Sequence, residues 1–204
     1  MEAICLTQFF GDKSPFDIIV AIVAIATGLY TLYKSFLERA KLSLFPGDKV
    51  GLVSESGGCR KLHVRGGLVN HAVKTGTLHR LEARLTTPSG TSHPYEWRLF
   101  FSYVPGTLNV HPASNAIPVS VPGKNSQLFL AEIELTTGAS TPAWSTGRYE
   151  LHISGWVNKS NRRQSPNLKT VIHFSLSAAE AQGLSSQAFA QPTVIDVPIE
   201  EWTR

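Results

Sequence analysis

Cysteine is scarce in this sequence. Only Cys5 and Cys59 occur, and no CxxC spacing is present. A disulfide framework, a Cys-rich zinc site and a haem attachment motif are therefore excluded. The scarcity also favours a reducing compartment for the bulk of the chain. Catalytic motifs are missing as well. Gly57-Gly58 and Gly66-Gly67 lack the following helix and Lys of a phosphate-cradling loop. No nucleophile elbow occurs, and no Ser or Thr stands beside a recognisable base. No segment repeats at a fixed period. The expectation is a protein that is not an enzyme and has no cofactor. Acidic residues are the minority, 15 Asp and Glu against 19 Lys and Arg, for a net charge of +4. Residues 42–204 alone carry the same excess, which is mild, so nucleic acid is not an expected partner.

Long hydrophobic runs number one. Phe16–Tyr33 (FDIIVAIVAIATGLYTLY) holds a single charge, Asp17, before Lys34. At about 1.5 Å of rise per residue it approaches the roughly 30 Å of a bilayer core, with Lys34 snorkelling at its end. Ser14, Pro15 and Asp17 form a helix start: a capping hydroxyl, a Pro in the first turn and a carboxylate three residues after the cap. The flank before the run is acidic rather than basic, and no small-residue cleavage site follows it, so a retained anchor is expected rather than a signal peptide. Lys34, Arg39 and Lys41 outnumber Lys13 across the span, which places the large domain in the cytoplasm. Ala21, Ala24, Gly28 and Thr31 share one helix face, where small residues would let two helices approach and make a homo-oligomer. The expected organisation is a short extramembrane tail over 1–15, a transmembrane helix over 16–34, an amphipathic linker over 35–46 and one folded domain over 47–204.

That domain reads as strands. Short runs of alternating apolar and polar residues are separated by Gly, Pro, Asn and Ser. Leu62, Val64 and Leu68 alternate with polar neighbours, with Gly66-Gly67 marking a bulge or a close backbone approach. Leu81, Ala83 and Leu85 alternate with Arg80, Glu82 and Arg84. Tyr95, Trp97, Leu99, Phe101 and Tyr103 share a face, and Leu128, Leu130 and Ile133 are expected inward. Seven to nine such strands predict an antiparallel β-sandwich. Ser177–Ala190 predicts one or two short helices behind a capping box, and Thr193–Val197 an edge strand ended by Pro198.

Gly147-Arg148-Tyr149-Glu150-Leu151-His152-Ile153 is the strongest local signature. A turn enters a strand whose first inward residue is Tyr149. Over residues 145–176 this resembles the start of strand F in immunoglobulin-like and fibronectin-like sandwiches, where a tyrosine corner pins the preceding loop. Leu68-Val69-Asn70, Lys74-Thr75-Gly76 and Leu78 resemble a turn of uncharacterised bacterial single-pass membrane proteins that carry such a domain. The resemblance implies an immunoglobulin-like fold without the antibody Cys–Trp–Cys pattern, and a bacterial inner-membrane location.

Two groups of side chains are candidates for binding. The loop Asn158–Asn167 concentrates Lys159, Arg162 and Arg163, cations suited to phosphate or carboxylate. His152 and His173 are expected on adjacent strands beside Glu150, a set that suits a metal ion only if the geometry converges. His63 and His79 also fall on strands, and His71 in a turn. The functional expectation is a membrane-tethered, non-catalytic interaction module with an unknown protein partner and the lipid bilayer as its anchor. The alternative is a membrane effector or sensor whose domain binds an anionic ligand while its helix self-associates.

Overall fold

The computed structural model describes residues 14–34, 38–55, 58–103, 110–159, 163–185 and 193–204, with backbone only at 101–103, 110–114 and 193. It contains two compact units, Met1–Arg39 and Ala40–Arg204. The first holds helix α1, Pro15–Leu32. The Ser14 hydroxyl accepts from the Asp17 amide at 3.3 Å, and the Asp17 carboxylate accepts from the Ser14 amide at 3.1 Å. This reciprocal cap satisfies two amides that the first turn leaves free. The helix has a mean hydropathy of 1.9 and no buried residue, and it is long and apolar enough to cross a membrane.

The second unit is a closed antiparallel barrel, not an open sandwich. Its strands are β1 (Leu42–Glu55), β2 (Gly58–Asn70), β3 (Gly76–Thr86), β4 (Ser92–Tyr103), β5 (Val110–Asn115), β6 (Val119–Val121), β7 (Ser126–Leu135), β8 (Gly147–Val157), β9 (Leu168–Leu176) and β10 (Thr193–Thr203). Eight of them form a ring in the order β4-β7-β2-β1-β10-β9-β8-β3, and β3 pairs back onto β4 to close it. Closure is partial along the seam. Glu82–Thr86 of β3 pair with Ser92–Glu96 of β4. Beyond that point the strands part, and β5 pairs with β4 while β6 pairs with β3. An eight-stranded ring is just wide enough for side chains to fill. Here Val50, Leu52, Leu62, Leu81, Ile133, Leu151, Ile172 and Phe174 fill it, all at most 2% exposed. A sandwich and a barrel demand the same in–out alternation. They differ only in which strands pair, and the pairings that close this ring, β1–β10, β2–β7, β3–β8 and β4–β7, are all non-local.

Several local expectations shift with the ring. Leu42–Pro46, read as linker, belong to β1. On β7 the inward set is Phe129, Ala131, Ile133 and Leu135: Ile133 is inward as expected, Leu130 is buried but outside that set, and Leu128 is exposed. On β4 a bulge between Trp97 and Leu99 breaks the aromatic face, so Phe100 joins the core and Leu99 sits opposite Glu132. β10 is a wall strand rather than an edge. It runs through Pro198, which lies where the strand leaves β1 and begins to pair with β9. A residue without an amide hydrogen is tolerated at such a change of partner. Behind β9 the Ser177 hydroxyl and Glu180 form a second capping box for helix α2 (Ala178–Ser185), which buries Ala181 and Leu184.

Candidate interaction surface at one rim of the barrel

Because the strands alternate up and down, the connections fall at two rims. The chain enters the barrel at Leu42. At the same rim lie the end of β2, the start of β3, the start of β7, the end of β8, the start of β9 and the end of β10. The segments 71–75, 122–125 and 158–167, which join strands here, contain no Asp or Glu. They contribute Lys74, Lys124, Lys159 and Arg163, while Lys41 just before β1, Lys169 on β9 and Arg204 just after β10 flank them. The opposite rim carries both signs, with Lys61 paired to Glu55 at 2.6 Å.

Hydrogen bonds hold the described residues of this rim. Asn70, only 1% exposed, is the hub: its side-chain amide donates to the Lys74 carbonyl at 2.7 Å and to the Val121 carbonyl at 3.0 Å, and its oxygen accepts from the Ala72 amide at 3.1 Å. Lys124 adopts a left-handed backbone (φ 56°), donates its amide to the Ala72 carbonyl and its ammonium to the His71 carbonyl. Asn158 is also left-handed (φ 54°), and its side chain accepts from the Thr77 amide at 2.7 Å. Non-glycine residues hold such conformations only where their surroundings impose them. The Asn167 side chain ties itself to both the amide and the carbonyl of Val157. The Trp156 indole donates to the Gln164 carbonyl. A notch of about 500 Å³ opens between the starts of β1 and β9, lined by Lys41, Ser43, Asn167, Lys169 and Arg204. The Arg204 guanidinium lies 3.8 Å over the Phe45 ring, which itself meets Trp202 edge to face.

The expected loop therefore contributes in part. Lys159 is half-buried and donates to the Ser165 carbonyl at 3.1 Å, Arg163 is exposed, and Arg162 lies outside the described residues. Lys41, Lys74, Lys124, Lys169 and Arg204 were missed, because each comes from a different stretch of the chain. Counting strands up and down would have brought them to one rim.

The other candidates lie elsewhere. Ala21, Ala24, Gly28 and Thr31 are on α1, where a side chain at Gly28 would meet nothing and the Thr31 hydroxyl donates to the Thr27 carbonyl. Tyr149 is fully buried, stacks on Phe174 at 5.4 Å and exchanges two 2.8 Å hydrogen bonds with the Ser145 backbone. The local pin thus exists in a barrel, without the sandwich. Glu150 stands between His152 (3.2 Å) and His173 (3.9 Å) on the outer wall. Among the described residues no group of three such side chains has the geometry to hold a metal ion. His63 faces outward, as expected, but is only 7% exposed and meets Glu132 of β7 at 3.3 Å. A shallow groove of about 630 Å³ crosses the wall near Arg84, Glu96, His152 and Trp156.

No protein-family model matches the chain, and no curated protein matches it in sequence.

Proposed function

We propose that this protein is a membrane-tethered, non-catalytic interaction module. Helix α1 anchors it, and the barrel presents a rigid surface to its partners. The observation that carries the proposal is the pairing of a solid interior with a one-signed rim. With the ring filled by apolar side chains, recognition falls to the outside, and the rim at Leu42 is where charge of one sign gathers. Lys34, Arg39 and Lys41 behind the helix favour a cytoplasmic barrel, in a bacterial inner membrane.

The full chain should stay with bacterial membranes through a carbonate wash. Deleting residues 16–33 should release it. A fluorescent protein fused after Arg204 should mature, as it does only on the cytoplasmic side, and an alkaline phosphatase fused there should stay inactive. Release of the full chain by carbonate would overturn the anchor, and an active phosphatase would overturn the orientation.

A further inference from the structure

We propose that the rim at which the chain enters the barrel docks on anionic lipid headgroups. The proposal rests on the anchored reading above and adds the partner of the barrel itself. Four features point to a lipid surface rather than to a soluble anion or a nucleic acid.

The first is charge. Lys41, Lys74, Lys124, Lys159 and Lys169 stand around one rim, contributed by the residue before β1, by β9 and by three separate connections, and those connections hold no acidic residue. A basic surface is attracted to anionic headgroups, and each cation near the surface adds about fivefold to the affinity. The second is apolar exposure among these charges. Val73, beside Lys74, is 49% exposed, and Leu128, near the start of β7, is 67% exposed. Basic residues interleaved with exposed aliphatic ones suit the headgroup–acyl boundary. A nucleic-acid surface would instead present aromatic rings free to stack on bases. Here the rings of Phe45 and Trp202 are engaged with each other and with Arg204.

The third feature is rigidity. The Asn70 hub and the left-handed Lys124 hold the connections at 71–75 and 122–125, and Asn158 and the Asn167–Val157 pair hold the two ends of the third, before any ligand arrives. Docking on a broad charged plane then costs little ordering entropy. The notch beside Lys41, Lys169 and Arg204, with the Ser43 hydroxyl and the Asn167 amide, has the donors to take one headgroup phosphate. The fourth is the tether. Only residues 33–41 separate Leu42 from a helix apolar enough to cross a membrane, so this rim belongs to a domain held at a membrane once α1 is inserted.

The test uses the full chain in nanodiscs and lysine acylation read by mass spectrometry. One set of discs holds phosphatidylcholine alone, and the other adds about 30 mol% phosphatidylglycerol, enough to give the surface its negative potential. Lys74, Lys124, Lys159 and Lys169 should react about threefold or more slowly in the anionic discs, while Lys61 at the other rim is unchanged. At about 0.5 M salt, where screening acts within roughly 4 Å, the protection should vanish. Lys159→Glu with Lys169→Glu should lower the protection of the remaining lysines. Lys159→Arg with Lys169→Arg should keep it, and an unchanged Lys61 rate shows that each variant is folded. Equal rim rates in the two kinds of disc would overturn the proposal. So would equal protection by about 10 mM inorganic phosphate in phosphatidylcholine discs, which would make the ligand a soluble anion. Both outcomes leave the carbonate result untouched, so failure of the docking and failure of the anchor are distinct.

Discussion

The hydroxyl of Tyr149 is one oxygen atom whose removal has a calculable consequence. Tyr149→Phe keeps the ring, its stacking on Phe174 and its full burial, and deletes two 2.8 Å hydrogen bonds to the Ser145 backbone. One bond is donated by the Ser145 amide and the other is accepted by its carbonyl. A typical intramolecular hydrogen bond contributes about 1 kcal/mol net, and more when the abandoned partner stays dry. Ser145 itself is exposed, so water can replace part of what is lost. The expected cost is about 1.5 kcal/mol. In a domain the size of Ala40–Arg204 that lowers the melting temperature by roughly 3–6 °C. The assay is thermal unfolding of the full chain in detergent, followed by Trp fluorescence, since Trp144 lies 5.4 Å from the Tyr149 ring. Hydrogen exchange at the Ser145 amide supplies a local readout and should accelerate. A melting temperature within about 1 °C of the parent, with unchanged exchange at Ser145, would refute the idea that the hydroxyl pins the loop.

Three further outcomes follow from burial and close approach. A Cβ at Gly66 would strike the Phe45 carbonyl, whereas one at Gly67 would meet nothing within 4 Å. Gly66→Ala should therefore cost about 1–3 kcal/mol, while Gly67→Ala should be neutral or slightly stabilising in the same denaturant titration; equal effects would contradict the bulged pairing of β1 with β2. Burial pushes the Cys59 thiol up from 9.0 to about 12, so at pH 8 only about one molecule in ten thousand carries the thiolate that reacts. With Cys5 replaced by Ser, a thiol reagent should label Cys59 only after denaturation, and prompt labelling of the native protein would show that it is accessible. The same shift sets an alkaline limit. Above about pH 9 the unfolded chain ionises at Cys59 and the folded chain does not, so stability present below that pH is lost as pH rises toward 12, by up to tenfold in the folding constant per unit. Burial pushes the Tyr95 phenol up as well, which steepens the loss above about pH 10. Denaturation midpoints should fall between about pH 9 and 11, less so in Cys59→Ala; a flat profile would mean these groups titrate alike in both states.

What could be read from sequence was whatever is local. The apolar run is contiguous from Phe16 to Tyr33, and its cap needed only Ser14, Pro15 and Asp17. The strands of the folded unit announced themselves by alternation, and Tyr149 by the turn before it. The closed ring was not legible, because alternation tells which face is inward and is silent on which strand lies next door. The pairing of β1 with β10 joins residues near 50 to residues near 197, and nothing in either segment names the other. Bulges hid the rest. The slip at Trp97/Leu99 puts Phe100 inward where strict alternation would put Leu99, and on β7 Phe129 and Ala131 face inward where Leu128 and Leu130 were expected. The rim was invisible for the same reason as the ring. Its lysines are spread from position 41 to position 169, and only the up-and-down order of the strands makes them neighbours.

Closing the sheet also decides which kinds of recognition remain open. An open sandwich exposes edge strands, whose unpaired amides and carbonyls can accept an extended peptide as an added strand. Among the described residues the ring leaves edges only at its seam, on the short strands β5 and β6, so that mode is not available along the rest of it. The wall neutralises much of its own charge through pairs of opposite sign: Arg65 with Asp196, Arg98 with Glu134, Arg148 with Glu201, and Glu150 with two histidines. Pairs of this kind, largely exposed, contribute little attraction to a distant partner because each cation carries its own counter-charge. At the rim at Leu42 the connections themselves supply cations and no anions. Recognition there is long-ranged, depends on ionic strength and needs only a partner with a negative surface. A membrane-anchored domain has one such partner within constant reach. The salt dependence of rim protection is therefore the measurement on which the barrel's role turns, and Lys61 at the opposite rim, held by Glu55, is the internal standard against which it is read.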